Sequence, residues 1–168
     1  MDSFPRLCVV DASVLFDLND GGILHLLCRM PFEIVIPDII VVEELQSIDV
    51  PWLLGQGVRV QGLPPLHVQE VLALAQFHRS VSVNDLFAFV LARDLKAVLL
   101  TGDGALRKFA ERKGVAVHGT LWVLEGMVDL GHLEPADALI ALERMRMAGS
   151  RLPQREVERL VRTWRARG

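Results

Sequence analysis

Along the chain, short apolar runs alternate with segments whose apolar residues recur at helical spacing. Leu7–Val10 is a compact apolar run with two β-branched residues, cut off at Asp11, and predicts a buried strand. Ala12–Asp17 reads as helical and reaches a turn at Asp20, Gly21 and Gly22; Ile23–Arg29 resumes as a helix stopped before Pro31. Glu33–Ile36 predicts a second strand. Pro37 falls where the first turn of a helix tolerates proline, and Ile40–Ser47 has helix length despite its β-branched content. Asp49–Pro65, dense in proline and glycine, reads as irregular with a short strand at Gly57–Gln61. Val68–Arg79 and Ser82–Arg93 are helical. Ala97–Leu100 predicts a strand ending in Thr101, Gly102, Asp103 and Gly104. Ala105–Lys113 is then a helix closed by Gly114, and Val115–Val117 the next strand. From Gly119 onward the pattern is helical, over 120–130, 135–148 and 153–166.

Strands alternating with helices through short loops predict an α/β sandwich around a parallel sheet. Strands rich in Val, Ile and Leu fit a sheet covered on both faces. In such sheets ligands gather at the carboxyl ends of the strands, near the switch in strand order. Asp11 and Asp103 both follow predicted strand ends, which puts them on one rim.

Each acidic residue near that rim has an ordinary explanation. Asp11 suits a helix N-cap, and Ser13 beside it offers a hydroxyl to hold a carboxylate or a water. Glu43 and Glu44 lie on an otherwise apolar helix about 100° apart, so only one faces the rim. Ser82 and Asp85 have the spacing of a capping box, although Asp85 heads a nearly all-apolar helix. Asp103 between glycines suits a turn. Brought together, such groups acquire a different meaning. Carboxylates within about 5 Å repel by roughly 3 kcal/mol per pair at an effective dielectric near 20. They stay ionised only beside a cation, or by sharing a proton. Oxygen donors select Mg²⁺ or Mn²⁺ over zinc, and no Cys/His set competes. Such ions activate water and neutralise phosphoryl oxygens, which suits phosphodiester hydrolysis.

The 168 residues suffice for one domain, with 51% hydrophobic and 23% charged residues to build a core. The net charge of −3 and pI near 5.9 exclude a protein that holds nucleic acid by bulk positive charge, so such contact needs a local basic patch. Cys8 and Cys28 sit in apolar surroundings and read as core residues of a reducing compartment. The N-terminus lacks a signal-peptide layout, and no apolar run approaches the roughly 20 residues that span a bilayer. A cytoplasmic protein without membrane association is expected.

In order, VVDASVLFDL, IPDIIVVEEL, SVNDLFAFVLARD and VLLTGDGALRKFAERKGV resemble the motifs of the PIN-domain ribonucleases, covering residues 6–118. HGTLWVLEGMVDLGHL is similar to an extension in a prokaryotic branch close to VapC-type toxins. The resemblance implies a Rossmann-like three-layer α/β/α sandwich with a central parallel sheet over 1–130. Residues 131–168 would form a C-terminal helical extension packed on the same domain. It implies Asp11, Glu44, Asp85 and Asp103 as catalytic residues, with Asp11, Asp85 and Asp103 holding Mg²⁺ or Mn²⁺. Glu44 is preferred to Glu43 because the family's acidic residue commonly precedes leucine. Ser13 and Thr101 correspond to supporting hydroxyl residues, and Asn84 adjoins the third acid with its role open. The implied activity is endonucleolytic hydrolysis of single-stranded RNA to a 5′-phosphate and a 3′-hydroxyl. It would belong to the toxin half of a type II toxin–antitoxin system, restrained by a small antitoxin protein and acting as a homodimer. The alternative is a catalytically degenerate PIN-like module that binds RNA or protein, for which clustered negative charge facing phosphate has no use. A nucleotide-binding Rossmann domain lacks its glycine-rich motifs here.

Candidate RNA-backbone contacts are Arg107, on the helix that starts at the rim, and Arg155 and Arg159, which share a face of the last helix with Arg162. A plain solvated face explains these positions equally well. Trp52, Trp122 and Trp164 are scattered and predict no base-stacking platform, and His118 reads as structural.

Overall fold

The apolar run Leu7–Val10 forms β1, whose Cys8, Val9 and Val10 are fully buried. Burial on both faces follows from its central place in a parallel sheet. The computed structural model describes residues 3–167. In chain order β1 is followed by α1 (Ala12–Asp20), α2 (Leu24–Leu27), β2 (Glu33–Pro37), α3 (Asp38–Glu43), α4 (Val50–Gly55) and β3 (Arg59–Gln61). Then come α5 (Pro65–Phe77), α6 (Val83–Leu95), β4 (Val98–Leu100), α7 (Gly104–Arg112) and β5 (Val117–His118). The helices α8 (Thr120–Asp129), α9 (Pro135–Met147) and α10 (Gln154–Arg165) complete the described chain.

The strand order is β3-β2-β1-β4-β5, with every pair parallel. From β1 the chain moves outward through β2 to β3, then crosses back to β4 and moves the other way to β5. The switch point therefore lies between β1 and β4. Right-handed crossovers place the helices of the two halves on opposite faces of the sheet, giving three layers. On one face α6 lies against β1, β2 and β4, flanked by α5 and α7. This position explains why Leu86–Ala92 is continuously buried. Helices α1, α8 and α9 pack on one another, and α10 closes over α8 and α9.

The expected elements appear with shifted ends, and three differ further. Pro37 ends β2, paired in register with Gln61, and does not enter the next helix; with no N–H to donate, it suits a strand terminus. The expected helix Ile40–Ser47 is instead α3, which stops at Glu43, so Glu44 is a C-cap with φ −123°. The stretch expected to be irregular contains α4, begun by Asp49, whose carboxylate accepts the Trp52 N–H at 2.9 Å, and by Pro51 in the first turn. Cys8 is buried, which pushes its thiol up to about 12; both cysteines are free. Among the described residues, no helix is long and apolar enough to cross a membrane.

The last helix is held by Leu160 and Trp164, one turn apart and both buried, against the rest of the fold. Replacing Trp164, 1% exposed, with alanine is expected to cost about 3–5 kcal/mol in urea denaturation. Phe77, 81% exposed at the end of α5, should tolerate Phe77→Ala within about 0.5 kcal/mol. Equal effects of the two changes would show that α10 is not integral to the core.

Candidate functional site

The parallel ladder delivers two loops to the same place. The Asp11 N–H donates to the Leu100 carbonyl at 2.9 Å, extending the β1–β4 pairing to the exact ends of both strands. Asp11 is 3% exposed and occupies the N-cap position of α1, yet its side chain makes no capping bond to that helix. Its Oδ2 instead accepts from Thr101 Oγ1 at 2.9 Å and from Ser13 Oγ at 3.0 Å. The direction of these bonds is set from behind. Gly102 N–H donates to Ser13 Oγ at 2.9 Å, and Asp103 N–H donates to Thr101 Oγ1 at 3.1 Å. With their acceptor sides taken by amides, both hydroxyls turn their protons toward Asp11.

Burial and the charge of Asp85 raise the Asp11 carboxyl from 3.8 to about 6, against the pull of the Thr101 and Ser13 hydroxyls and the Ala12 amide. Asp85 and Ser82 form a complete capping box at the start of α6. Asp85 Oδ2 accepts the Ser82 N–H at 3.2 Å, and Ser82 Oγ accepts the Asp85 N–H at 3.0 Å. Burial raises the Asp85 carboxyl; the Ser82 bonds oppose this and the charge of Asp103 adds to it. Asp103 caps α7, its Oδ1 accepting from the Leu106 N–H at 2.8 Å. Glu44 is half-buried, and its carboxyl is raised by burial and then by Asp85, with Asn84 partly offsetting both. Glu43 is exposed, and Asn84 Nδ2 donates to its Oε2 at 3.0 Å. Asn84 thus links the end of α3 to the start of α6.

The switch point therefore brings Asp11, Glu44 and Asp103 each within electrostatic reach of Asp85. Ser13 and Thr101 support Asp11 directly. Asp17 belongs with them and was not expected. It lies one turn after Ser13 and accepts from Thr120 Oγ1 at 2.6 Å, tying α1 to the start of α8. The i, i+4 spacing of Ser13 and Asp17 is its signal in the sequence. Arg107 is half-exposed on α7, 3.9 Å from Glu111. Arg159 donates to both carboxylate oxygens of Glu125 at 3.0 Å and pairs with Glu156, so its charge is used within the protein. Arg155 is exposed on α10.

The donors near Asp11 are all oxygen atoms, the chemistry of a hard divalent cation. Among the described residues, no three Asp, Glu, His or Cys side chains converge closely enough to enclose an ion. The set fits such an ion in donor type: Asp85 raises the carboxyls of Asp11 and Glu44, and Asp103 raises that of Asp85, without the group closing on a single point.

The family model for the PIN domain matches residues 7–166. The chain belongs to the PIN-domain family. The match runs through β1 and the whole acidic group and continues into α10. PIN domains are in general nucleases that bind nucleic acid and use divalent metals. Among solved structures, PAE2754 from Pyrobaculum aerophilum aligns over 73% of this PIN domain and 90% of its own chain, with 19% identity and a TM-score of 0.50; the likeness is one of fold. A PilT N-terminus domain protein, SSO1118, from the hyperthermophilic archaeon Sulfolobus solfataricus P2 aligns over 71% of this chain and 92% of its own, with 17% identity and a TM-score of 0.48. No curated protein matches the chain.

The raised Asp11 carboxyl has a consequence for stability. A carboxyl held higher in the folded chain than in the unfolded one favours folding below the unfolded value, and the advantage fades as pH rises through the folded value. Between 3.8 and about 6 the metal-free PIN domain therefore loses about 3 kcal/mol of this contribution. Asp11→Asn removes the charge and keeps an oxygen for Ser13 and Thr101. In EDTA it should be more stable than wild type at pH 8 and indistinguishable at pH 3, by thermal unfolding. A variant that is less stable at pH 8 would contradict the buried-charge account.

Proposed function

We propose that this PIN domain is an Mg²⁺- or Mn²⁺-dependent endoribonuclease acting on single-stranded RNA. The observation that carries the reading is the grouping of Asp11, Glu44, Asp85 and Asp103 at the switch point, coupled through Asp85 and with Asp11 pushed up to about 6. Mutual repulsion of this kind is what a bound cation relieves. Asp11, Asp85 and Asp103, which do not close on one point, would hold the ion directly or through its water ligands. When bound, it supplies Lewis-acid activation of water and positive charge for the phosphoryl oxygens.

The protein groups then divide the remaining work. Ser13 and Thr101 keep Asp11 oriented and favour its ionised form. The capping bonds of Asp85 and Asp103 fix both carboxylates on rigid helix starts. Glu44 orients the attacking water through its carboxylate, and Asn84 steadies the α3 terminus that carries it. The toxin role, a small antitoxin partner and a homodimer rest on the family resemblance alone.

Purified protein should cleave single-stranded RNA with Mg²⁺ or Mn²⁺ and not with EDTA. Asp11→Asn should lose at least about 100-fold in rate, the scale seen when one group stabilising a transition state is removed. Metal-independent cleavage, or full activity in Asp11→Asn, would overturn the nuclease reading. Expression of the chain without a partner should arrest growth of a bacterial host, and Asp11→Asn should relieve the arrest. Normal growth with an active enzyme would remove the toxin role and leave the nuclease.

A further inference from the structure

Past Asp103 the acidic rim opens into a cleft of about 770 Å³, bounded by the turn at 101–104, the start of α8 and the segment leading into α10. That volume lies within the roughly 300–1,000 Å³ of small-ligand sites. Its walls combine two chemistries. Leu121, Trp122, Leu152 and Pro153 supply apolar surface, and Arg107 and Arg151 supply cations.

The glutamates at the cleft share one cation, and Asp103 also lines it. Glu125 and Glu156 both line it, and both are paired with Arg159. Arg107 has only a 3.9 Å contact with Glu111, an exposed pair that contributes little. Arg151 is exposed and makes no ion pair among the described residues. His118 lies flat on Trp122, with ring centroids 4.2 Å apart and planes 4° apart, and Phe32 and Phe4 pack against the same indole, so the wall is held rigid by an aromatic cluster. An anionic chain approaching four carboxylates is repelled, and in a chain of net charge −3 the offset must come from cations beside the site. Arg107 and Arg151 are in that position, on a cleft continuous with Thr101 and Asp103.

We propose that this cleft binds one nucleotide of the RNA substrate, the one adjoining the scissile phosphate. Its base rests on the wall of Leu121, Trp122, Leu152 and Pro153, and its outer phosphate lies between Arg107 and Arg151. The assignment rests on the nuclease reading and adds a specificity pocket to it. The C-terminal segment before α10 thereby becomes part of substrate recognition, and not only of the core.

The test uses the full chain in EDTA, a fluorescent single-stranded RNA decamer and a salt series, with anisotropy as readout. Arg151→Ala should weaken binding about tenfold and reduce the salt slope by about one. Arg79→Ala, an exposed cation between α5 and α6, should change affinity less than about twofold. Adenosine or uridine 5′-monophosphate added to ¹⁵N-labelled protein should shift the Trp122 indole and the Gly119 amide, and leave the Trp52 and Trp164 indoles in place. Equal losses in Arg151→Ala and Arg79→Ala, or shifts confined to other sites, would overturn the proposal. Metal-dependent cleavage together with unchanged Arg151→Ala binding removes the cleft and keeps the nuclease. A nucleotide bound at Trp122 by a chain that cuts no RNA keeps the cleft and removes the nuclease.

Discussion

The buried carboxylate of Asp11 is the constraint to which the rest of the site answers. An ionised group taken out of water costs several kcal/mol unless hydrogen bonds replace its hydration. Here Thr101 and Ser13 supply two, and the amides of Gly102 and Asp103 aim the hydroxyls that make them. The loop after β4 is thereby bound to the first turn of α1. The residual strain shows in a carboxyl pushed up to about 6, which makes the site most demanding when it carries no counter-charge.

The outer carboxylates are placed by a cheaper device. Asp103 caps α7, and Asp85 at the third position of α6 accepts the N–H of the N-cap Ser82, each through one oxygen, ordinary roles for acidic residues at a helix start. Capping and function do not compete, because a carboxylate has a second oxygen to present to the rim. Glu44 is set differently, by the end of α3 and the Asn84 amide beside it. The helix stops at Glu43, and Glu44, leaving the helical path, has its carboxyl within reach of the Asp85 charge.

Charge balance around the rim explains why the basic residues of this PIN domain have unlike roles. Arg159 has the composition of an RNA contact and the geometry of a strut, because Glu125 on α8 and Glu156 on its own helix take its guanidinium. Arg107 and Arg151 keep their charge available on a cleft that adjoins Asp103. Position on the folded surface, and not local sequence, separates a strut from a cation that faces the cleft.

The alternation of apolar runs and helical segments determined the α/β class, and the abrupt ends of two runs located Asp11 and Asp103 at strand termini. Local rules also anticipated the Asp85 capping box. They failed where competing local signals coincide, as at Pro37, at the early stop of α3 and in the proline-rich segment that holds α4. Only the tertiary structure decided the partners. Thr101 reaches Asp11 across 90 positions, Thr120 reaches Asp17 across 103, and Arg159 reaches Glu125 across 34. Periodicity reports which face of an element is buried, whereas strand order decides which elements meet. That order is set by packing of the whole chain, and no short window of residues contains it.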